Sequence, residues 1–411
     1  MSAMRVLLIN KYHYLKGGAE RAYFDTARIL AENGHTVSFF SMQHPKNEET
    51  KWSQYFVSPV DYDDSTGSPA DKLTSAWRIL WNSEAAQKLE ALIAEEKPDV
   101  AHLHNIYHQL SPSILWTLKK HRIPVVMTLH DYKLVSPNYS LFVRGKIWEH
   151  TSGFRCIADR CVKNSFLKSA VCALEQWLHS TIGSYRLVDA FVAPSRFLIG
   201  KYRELGFKKE ITLLPQPLIP FPSSMQGSRG EYFVFVGRLS EEKGLDFLLE
   251  AFKELPNEKE KLRIIGTGPL ESHLRDRVMK ENLANIELVG AQYGKDLEQL
   301  IQNSRAVILP SVWYENMPYV LVEALGAGKI VIAANLGGIP ERIEHGVNGF
   351  LFEPGNVSAL VKQIRSLATR DENEEKMSLK AFESISDLDP KQYSQKLVDL
   401  YQRLIQSKKE A

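Results

Sequence analysis

Glu315 and Glu323 are separated by seven intervening residues in Ser311-Val-Trp-Tyr-Glu-Asn-Met-Pro-Tyr-Val-Leu-Val-Glu, and they are the side chains of this chain best placed to do chemistry. The apolar run Ala306–Leu309 reads as a strand, and Pro318 has the fixed backbone angle that suits the first turn of a helix. One carboxylate therefore falls in the loop at a helix mouth and the other about one turn into the helix. Amides exposed at such a mouth, together with the positive end of the helix dipole, attract phosphate and sugar hydroxyls. Two acids beside them suit a ligand rich in hydroxyls, although most isolated acids are simply solvated.

Other informative residues also follow apolar runs, where ligands of open parallel sheets bind. Gly237-Arg238-Leu239-Ser240-Glu241-Glu242-Lys243-Gly244 offers two cations that can converge on a diphosphate, Arg238 through a fork of donors and Lys243 as a point charge. Gly17-Gly18 after the first strand lets backbone approach a ligand, or simply makes a tight turn; it is not a dinucleotide fingerprint. Gly266-Thr-Gly268 and Gly337-Gly338-Ile-Pro-Glu341 are further close-approach turns. His130 ends a strand and precedes Asp131, facing the expected cleft, while His104 at another strand end reads as a packing residue.

The elements that must hold these residues follow a repeated pattern of short apolar run and longer amphipathic stretch, the signature of parallel strands joined by helices. Six strands are expected before residue 215, at 5–10, 36–41, 100–104, 124–130, 190–193 and 211–214. Six more follow, at 232–237, 261–265, 286–289, 306–309, 330–333 and 350–352. Between them Leu214-Pro-Gln-Pro-Leu-Ile-Pro-Phe-Pro-Ser-Ser carries four prolines and reads as a hinge. The expected organisation is an α/β chain with a domain at 1–215, a second at 216–385, and a C-terminal segment, 386–411, whose helix packs back across the hinge. Long interruptions at 43–67 and 132–164 are the size of functional loops. The second is aromatic and basic and precedes an amphipathic helix from Ser165 to about Tyr185, suited to core packing, a membrane surface or an extended acceptor.

At 411 residues the chain has room for about two or three domains, and its 44% hydrophobic and 24% charged content is that of ordinary globular proteins. The sequence shows no apolar run long enough to span a membrane, and its start leads directly into a strand, so a cytoplasmic protein is expected. The net charge of +2 is uneven: residues 1–215 hold 27 basic against 21 acidic groups, and Lys119 to Lys168 holds ten against three. That excess suits phosphates or the anionic lipid of an inner membrane face, or is merely a solvated surface. Cys156, Cys161 and Cys172 are an odd count, so reduced thiols are the expectation. With His150 they supply four zinc-type donors, but the spacings of four, ten and five intervening residues do not match the paired-cysteine pattern.

Together the paired glutamates, the Gly-Arg to Lys-Gly loop and Gly-Gly-Ile-Pro-Glu make the chain resemble, from Met4 to its last helix, the retaining GT-B glycosyltransferases of glycosyltransferase family four, which build bacterial lipopolysaccharide, capsule and exopolysaccharide. The resemblance implies two Rossmann-like, doubly wound domains facing a cleft. It places Gly237, Arg238, Lys243 and Gly268 around the donor diphosphate and Glu323 at the ribose. Glu315, Asn316, Met317 and Pro318 go to the donor sugar, Gln292 near the base, Gly17 and Gly18 by the phosphates and acceptor, and His130 beside the sugar. Glu315, His130, Arg238 and Lys243 are the implied catalytic set. No metal or cofactor is implied: the co-substrate is a nucleoside-diphosphate sugar and the partner a saccharide or lipid-linked saccharide acceptor, the lipid link being suggested by the basic, aromatic segment 132–164, with no nucleic acid. Gln216-Pro217 and Met317-Pro318 depart from the family's usual Asn-Gly and Phe-Gly. Rival readings are a non-hydrolysing sugar-nucleotide epimerase and a catalytically silent sugar-nucleotide scaffold.

Overall fold

The computed structural model describes residues 3–59, 77–225, 230–255, 260–367 and 372–410. The chain begins with β1 (Arg5–Ile9), α1 (Gly18–Glu32), β2 (Thr36–Phe40), α2 (Ser83–Glu96), β3 (Val100–Leu103), α3 (Ile114–Lys120) and β4 (Val125–Thr128). A hairpin, β5 (Phe142–Val143) and β6 (Lys146–Ile147), and two helices, α4 (Gly153–Asp159) and α5 (Phe166–Thr181), come before β7 (Ala190–Ala193), α6 (Arg196–Glu204) and β8 (Ile211–Leu213). The first sheet is parallel in the order β2-β1-β3-β4-β7-β8.

The second half runs β9 (Tyr232–Val236), α7 (Leu245–Lys253), β10 (Lys261–Ile265), α8 (Glu271–Lys280), β11 (Ile286–Gly290), α9 (Gly294–Gln302) and β12 (Ala306–Leu309). It continues with α10 (Tyr319–Gly326), β13 (Ile330–Ala334), β14 (Gly349–Phe352), α11 (Val357–Ser366), α12 (Glu372–Glu383) and α13 (Pro390–Glu410). The second sheet, also parallel, has the order β11-β10-β9-β12-β13-β14. In both sheets the order reverses beside the first strand, the point at which doubly wound folds open a crevice for ligands.

Strands such as Val100–Leu103 and Ile330–Ala334 are buried along their whole length, as a parallel sheet covered on both faces requires. The twelve expected strands are all present. Helix α13 lies on the first sheet, where Leu397 and Tyr401 join Val6, Leu8, Val126 and Val192 in one apolar cluster. Tyr401 also hydrogen-bonds His102 Nδ1 at 2.5 Å, and His102 Nε2 meets Thr128 Oγ1 at 2.7 Å. The last helix is thus part of the first domain's core although the second domain precedes it in the chain.

The segment 132–164 is not a bare loop, because it folds its own hairpin and the short helix α4. Cys156 and Cys161 are joined by a disulfide, against the expectation of reduced thiols, with Cα atoms 4.9 Å apart. The four candidate zinc donors do not assemble: Cys172 lies with His108 and Glu175 instead, and the His150 ring packs on Trp148. Cys156 lies in α4 and Cys161 just beyond its left-handed end at Arg160, where Cys161 N–H donates to Cys156 O at 2.9 Å, so the turn that closes the helix brings the two cysteines together. Of the expected long loop 43–67, residues 60–67 lie outside the described residues. The rest holds a short 3-10 turn at Lys51–Tyr55 and a bridge from Met42 to Val57.

Leu397 has no solvent exposure, so Leu397→Ala should cost about 2–5 kcal/mol, the range for deleting a buried leucine side chain. A urea-unfolding midpoint unchanged by the substitution would show that α13 does not pack where it is placed.

Candidate active site

Glu315 is buried in the turn between β12 and α10. Its Oε1 accepts from Lys243 Nζ at 2.6 Å and from Ser311 Oγ at 2.8 Å. Burial alone would raise its pKa, yet the Lys243 ammonium and these hydrogen bonds hold it below the usual carboxylate range. Lys243 also sits 5.2 Å from the Trp313 ring centroid. Arg238, in the same loop, is exposed, and its guanidinium makes no hydrogen bond or ion pair among the described residues. The loop thus holds one cation clamped to a carboxylate and one turned outward. Pro318 is the N-cap of α10 and no side chain caps the helix, so its first amides face the same space.

The glycines explain how these loops come so close. A Cβ on Gly337 would lie 2.3 Å from the Glu315 carbonyl oxygen, and one on Gly338 would lie 1.8 Å from that of Asn316. Gly337 also has φ +69°, in the left-handed region that favours glycine. Gly338 N–H donates to Glu315 O at 2.6 Å. Gly268 packs in the same way, its Cβ position 2.4 Å from Leu239 O beside Arg238, and Gly237 N–H bonds Ile265 O at 3.0 Å. The close approaches are of loop to loop.

Asn316 binds the first domain: its Nδ2 donates to His130 O at 2.7 Å and its Oδ1 accepts from Tyr132 O–H at 3.0 Å. His130 Nε2 meets His104 Nδ1 at 2.9 Å, and the His130, His104 and His102 rings stack with centroids 5.1 and 4.8 Å apart. Burial pushes His130 and His102 down to about 3 and His104 well below its ordinary value, so the ladder is neutral near pH 7.

Glu323 on α10 pairs with Arg21 of α1, whose guanidinium carbon lies 4.3 Å from the Tyr319 ring centroid and whose Nη2 donates to Ile219 O at 3.4 Å. Gly18, at the exposed start of α1, faces Tyr319, whose ring a Cβ there would meet at 3.6 Å; Gly17 is the N-cap. Further contacts cross between the domains, among them the Tyr314 ring on that of Phe197, with centroids 5.0 Å apart. Glu341 accepts from the Arg196 and Phe197 amides at 2.9 and 2.5 Å, capping α6, and Tyr314 O–H donates to Glu149 Oε1 at 2.7 Å.

The structure therefore brings Gly237, Arg238, Lys243, Gly268, Glu315, Asn316 and Pro318 to one side of the cleft, with His130 opposite. Met317 is set apart, its side chain packed in the second domain's core, because the residue between two cleft-facing neighbours points inward. Gln292, after β11, lines a separate 320 Å³ hollow with Tyr232, Arg263 and Asp296. Arg21, Tyr132 and the capping role of Glu341 were missed. The i, i+3, i+7 line of Gly18, Arg21 and Asp25 on α1 was the only sequence signal for the first.

Two facing Rossmann-like domains, with a cation-lined turn and a paired carboxylate at the strand ends between them, define a glycosyltransferase of the GT-B fold. Comparison with known proteins agrees. A model of glycosyl transferases group 1 matches residues 222–384 and a model of glycosyltransferase family 4 matches residues 16–218. The chain belongs to glycosyltransferase family 4.

A 42.6 kDa protein in the cps region of Klebsiella pneumoniae is 26% identical over 351 residues, 82% of this chain and 87% of that one. The putative colanic acid biosynthesis glycosyltransferase WcaL of Escherichia coli K12 is 29% identical over 149 residues, 34% of this chain and 37% of that one. The Anabaena protein HepE, solved in complex with UDP-glucose, superposes with a TM-score of 0.68 at 18% identity, covering 97% of this chain and 100% of that one.

The histidine ladder makes stability depend on pH in a defined direction. His102 has a folded pKa of about 3, below the ordinary 6.5, so the unfolded chain binds the extra proton. Its contribution is whole above about pH 6.5 and is lost as pH falls toward 3, at about 1.4 kcal/mol per pH unit. Thermal unfolding between pH 7 and 4.5 should show this slope, and His102→Gln should flatten it. An equal slope in the variant would assign the effect elsewhere.

Proposed function

We propose that this enzyme moves a hexose-type sugar from a nucleoside-diphosphate sugar to a hydroxyl of a lipid-linked saccharide acceptor, with retention of anomeric configuration, in the synthesis of a cell-surface polysaccharide. The observation that carries the reading is the pairing of Lys243 with buried Glu315 beside an outward Arg238 and an uncapped helix start. Donors fixed in advance around a developing diphosphate charge are the largest common source of catalysis in such transfers. The relatives' names support the polysaccharide context, and the nucleotide-sugar complex of HepE supports the donor class.

In this reading Arg238 and Lys243 neutralise the departing diphosphate, a task that needs no divalent cation. Glu315 contacts the donor sugar, and Glu323 takes the ribose hydroxyls with the carboxylate lone pairs that Arg21 leaves open. Neutral His130 offers a hydrogen bond beside the sugar without adding charge. The bond from the anomeric carbon to the phosphate oxygen breaks, and the acceptor oxygen bonds that carbon on the same face. The acceptor proton passes to the departing phosphate oxygen. A double displacement fits less well, because Glu315 is held by Lys243 and Ser311 and Glu323 by Arg21. The epimerase and the silent scaffold are not favoured.

Arg238→Ala should lower turnover about a hundredfold or more, as loss of one charge-stabilising donor does. A near-normal rate would sink its assignment. Glu323→Gln should weaken nucleotide-sugar binding about tenfold, the worth of a charge-assisted hydrogen bond, with the acceptor KM unchanged. Calorimetry with UDP-, GDP-, ADP-, CDP- and TDP-sugars, in EDTA, checks this and identifies the base. The anomeric configuration of the product, read by NMR, tests retention.

A further inference from the structure

Helix α5 has one buried face and a second, apolar face that the described residues leave uncovered. Its inner face holds Ser169, Cys172, Ala173, Glu175 and His179, all buried. There Glu175 forms ion pairs with Lys133 Nζ at 2.8 Å and His108 Nδ1 at 3.2 Å, tying the helix to the loop that carries His130. The other face presents Phe166, Leu167, Leu174 and Trp177, which are 47–66% exposed. At 3.6 residues per turn these four fall within an arc of about 100°. The amphipathic signal in the sequence thus reports a second, outward stripe beside the core-facing one.

Neighbouring elements extend the stripe into a surface. Phe154 of α4 is 83% exposed, beside Gly153, whose Cβ position lies 3.0 Å from Ala173. At the other end of α5, His179 bonds Ser184 Oγ, which accepts from the Trp116 indole N–H at 3.4 Å, and its Nε2 meets Leu80 O at 2.9 Å. Trp116 is 40% exposed, and Trp77, on the turn that ends at Leu80, is 65% exposed. Large apolar side chains exposed together in this way mark a contact surface.

Charge selects the partner. The exposed face of α5 carries no carboxylate, since its only acid is the buried Glu175, and α3 carries Lys119 and Lys120 with no acid. Asp159, at the end of α4, is paired with Arg155, and Glu90 is paired with Lys120. Arg160 and Arg186 are exposed at the ends of α4 and just beyond α5. Exposed tryptophans and phenylalanines framed by cations match the interface of an anionic bilayer, where aromatic rings enter the headgroup zone and Lys and Arg meet the lipid charge.

We propose that the face built by α3, α4 and the outer stripe of α5 docks on anionic lipid, holding the mouth of the cleft against the bilayer. The Glu175–Lys133 pair couples that face to the His130 loop at the strand ends, so docking sets the distance from lipid surface to cleft. This deepens the reading of a lipid-linked acceptor and rests on that reading only for the use to which docking is put.

Vesicle flotation of the full chain tests it, with phosphatidylglycerol mixed into phosphatidylcholine and with phosphatidylcholine alone. Wild type should float with the anionic vesicles and release at high salt. Leu167→Glu/Trp177→Glu should lose at least nine-tenths of the bound fraction, and Lys119→Gln should weaken vesicle binding about fivefold, the worth of one surface charge. Leu379→Glu, at an exposed leucine of the second domain, should float as wild type. Circular dichroism and retained nucleotide-sugar binding show that each variant is folded.

Absence of wild-type flotation, or equal flotation with neutral lipid, overturns the proposal. So does a concentration-dependent dimer that Trp177→Glu abolishes, since a second copy would then cover the face. Transfer to a water-soluble acceptor is assayed separately, so failure to float and failure to transfer sugar are distinct results.

Discussion

The carbonyl oxygens of Glu315 and Asn316 leave no room for a side chain at positions 337 and 338, and the cleft is organised around that contact. Two glycines let the turn after β13 lie against the turn after β12. The Glu315 carbonyl is bonded by Gly338, and its carboxylate is fixed by Lys243 and Ser311. Three strand ends of the second domain, those of β9, β12 and β13, are thus locked into one unit before any ligand arrives. A carboxylate that is buried and singly clamped keeps its charge because Lys243 offsets the loss of hydration, and that ion pair keeps the site rigid as well as polar.

From that unit the first domain is reached through polar contacts. Asn316 bridges to His130 and Tyr132, Glu323 to Arg21, and Glu341 to the start of α6. Such contacts exchange readily for ligand hydroxyls and phosphates, because a charged or amide group satisfied by protein can be satisfied as well by substrate. The large buried apolar clusters lie within each domain and, among the described rings, only Tyr314, on Phe197 and Tyr132, adds an apolar contact to these bridges, so the interface between the domains is the part of the molecule suited to opening. Helix α13 is the exception to sequential order. It returns to the first domain, burying Leu397 and Tyr401 there, so the two connections that cross the cleft lie near one another, at residues 214–222 and 386–390.

Much of this was legible in the residues. Twelve strands, the proline-rich connection and the loops bearing Arg238, Lys243, Glu315 and Glu323 followed from apolar periodicity and from proline and glycine placement, which are local properties. The disulfide was not legible, because closure of Cys156 on Cys161 depends on where α4 starts and stops. The inward turn of Met317 was not legible either, since alternating neighbours in a loop obey no fixed period. Arg21 escaped because its partner is 302 residues away, and charge alone does not say which of many acids it will meet. The outward face of α5 was visible as amphipathicity, but amphipathicity does not say which side is covered.

The sequence by itself determined the α/β class, the chemistry of the cation and carboxylate loops and the resemblance to family 4, because each is carried by residue type at short spacing. The tertiary structure alone decided which carboxylate is clamped and which is bridged across the cleft, which histidines are kept neutral, and which apolar stripe of α5 meets solvent. Those outcomes depend on burial and on partners distant in the chain, and the energies that set them arise only when two separated segments exclude water together.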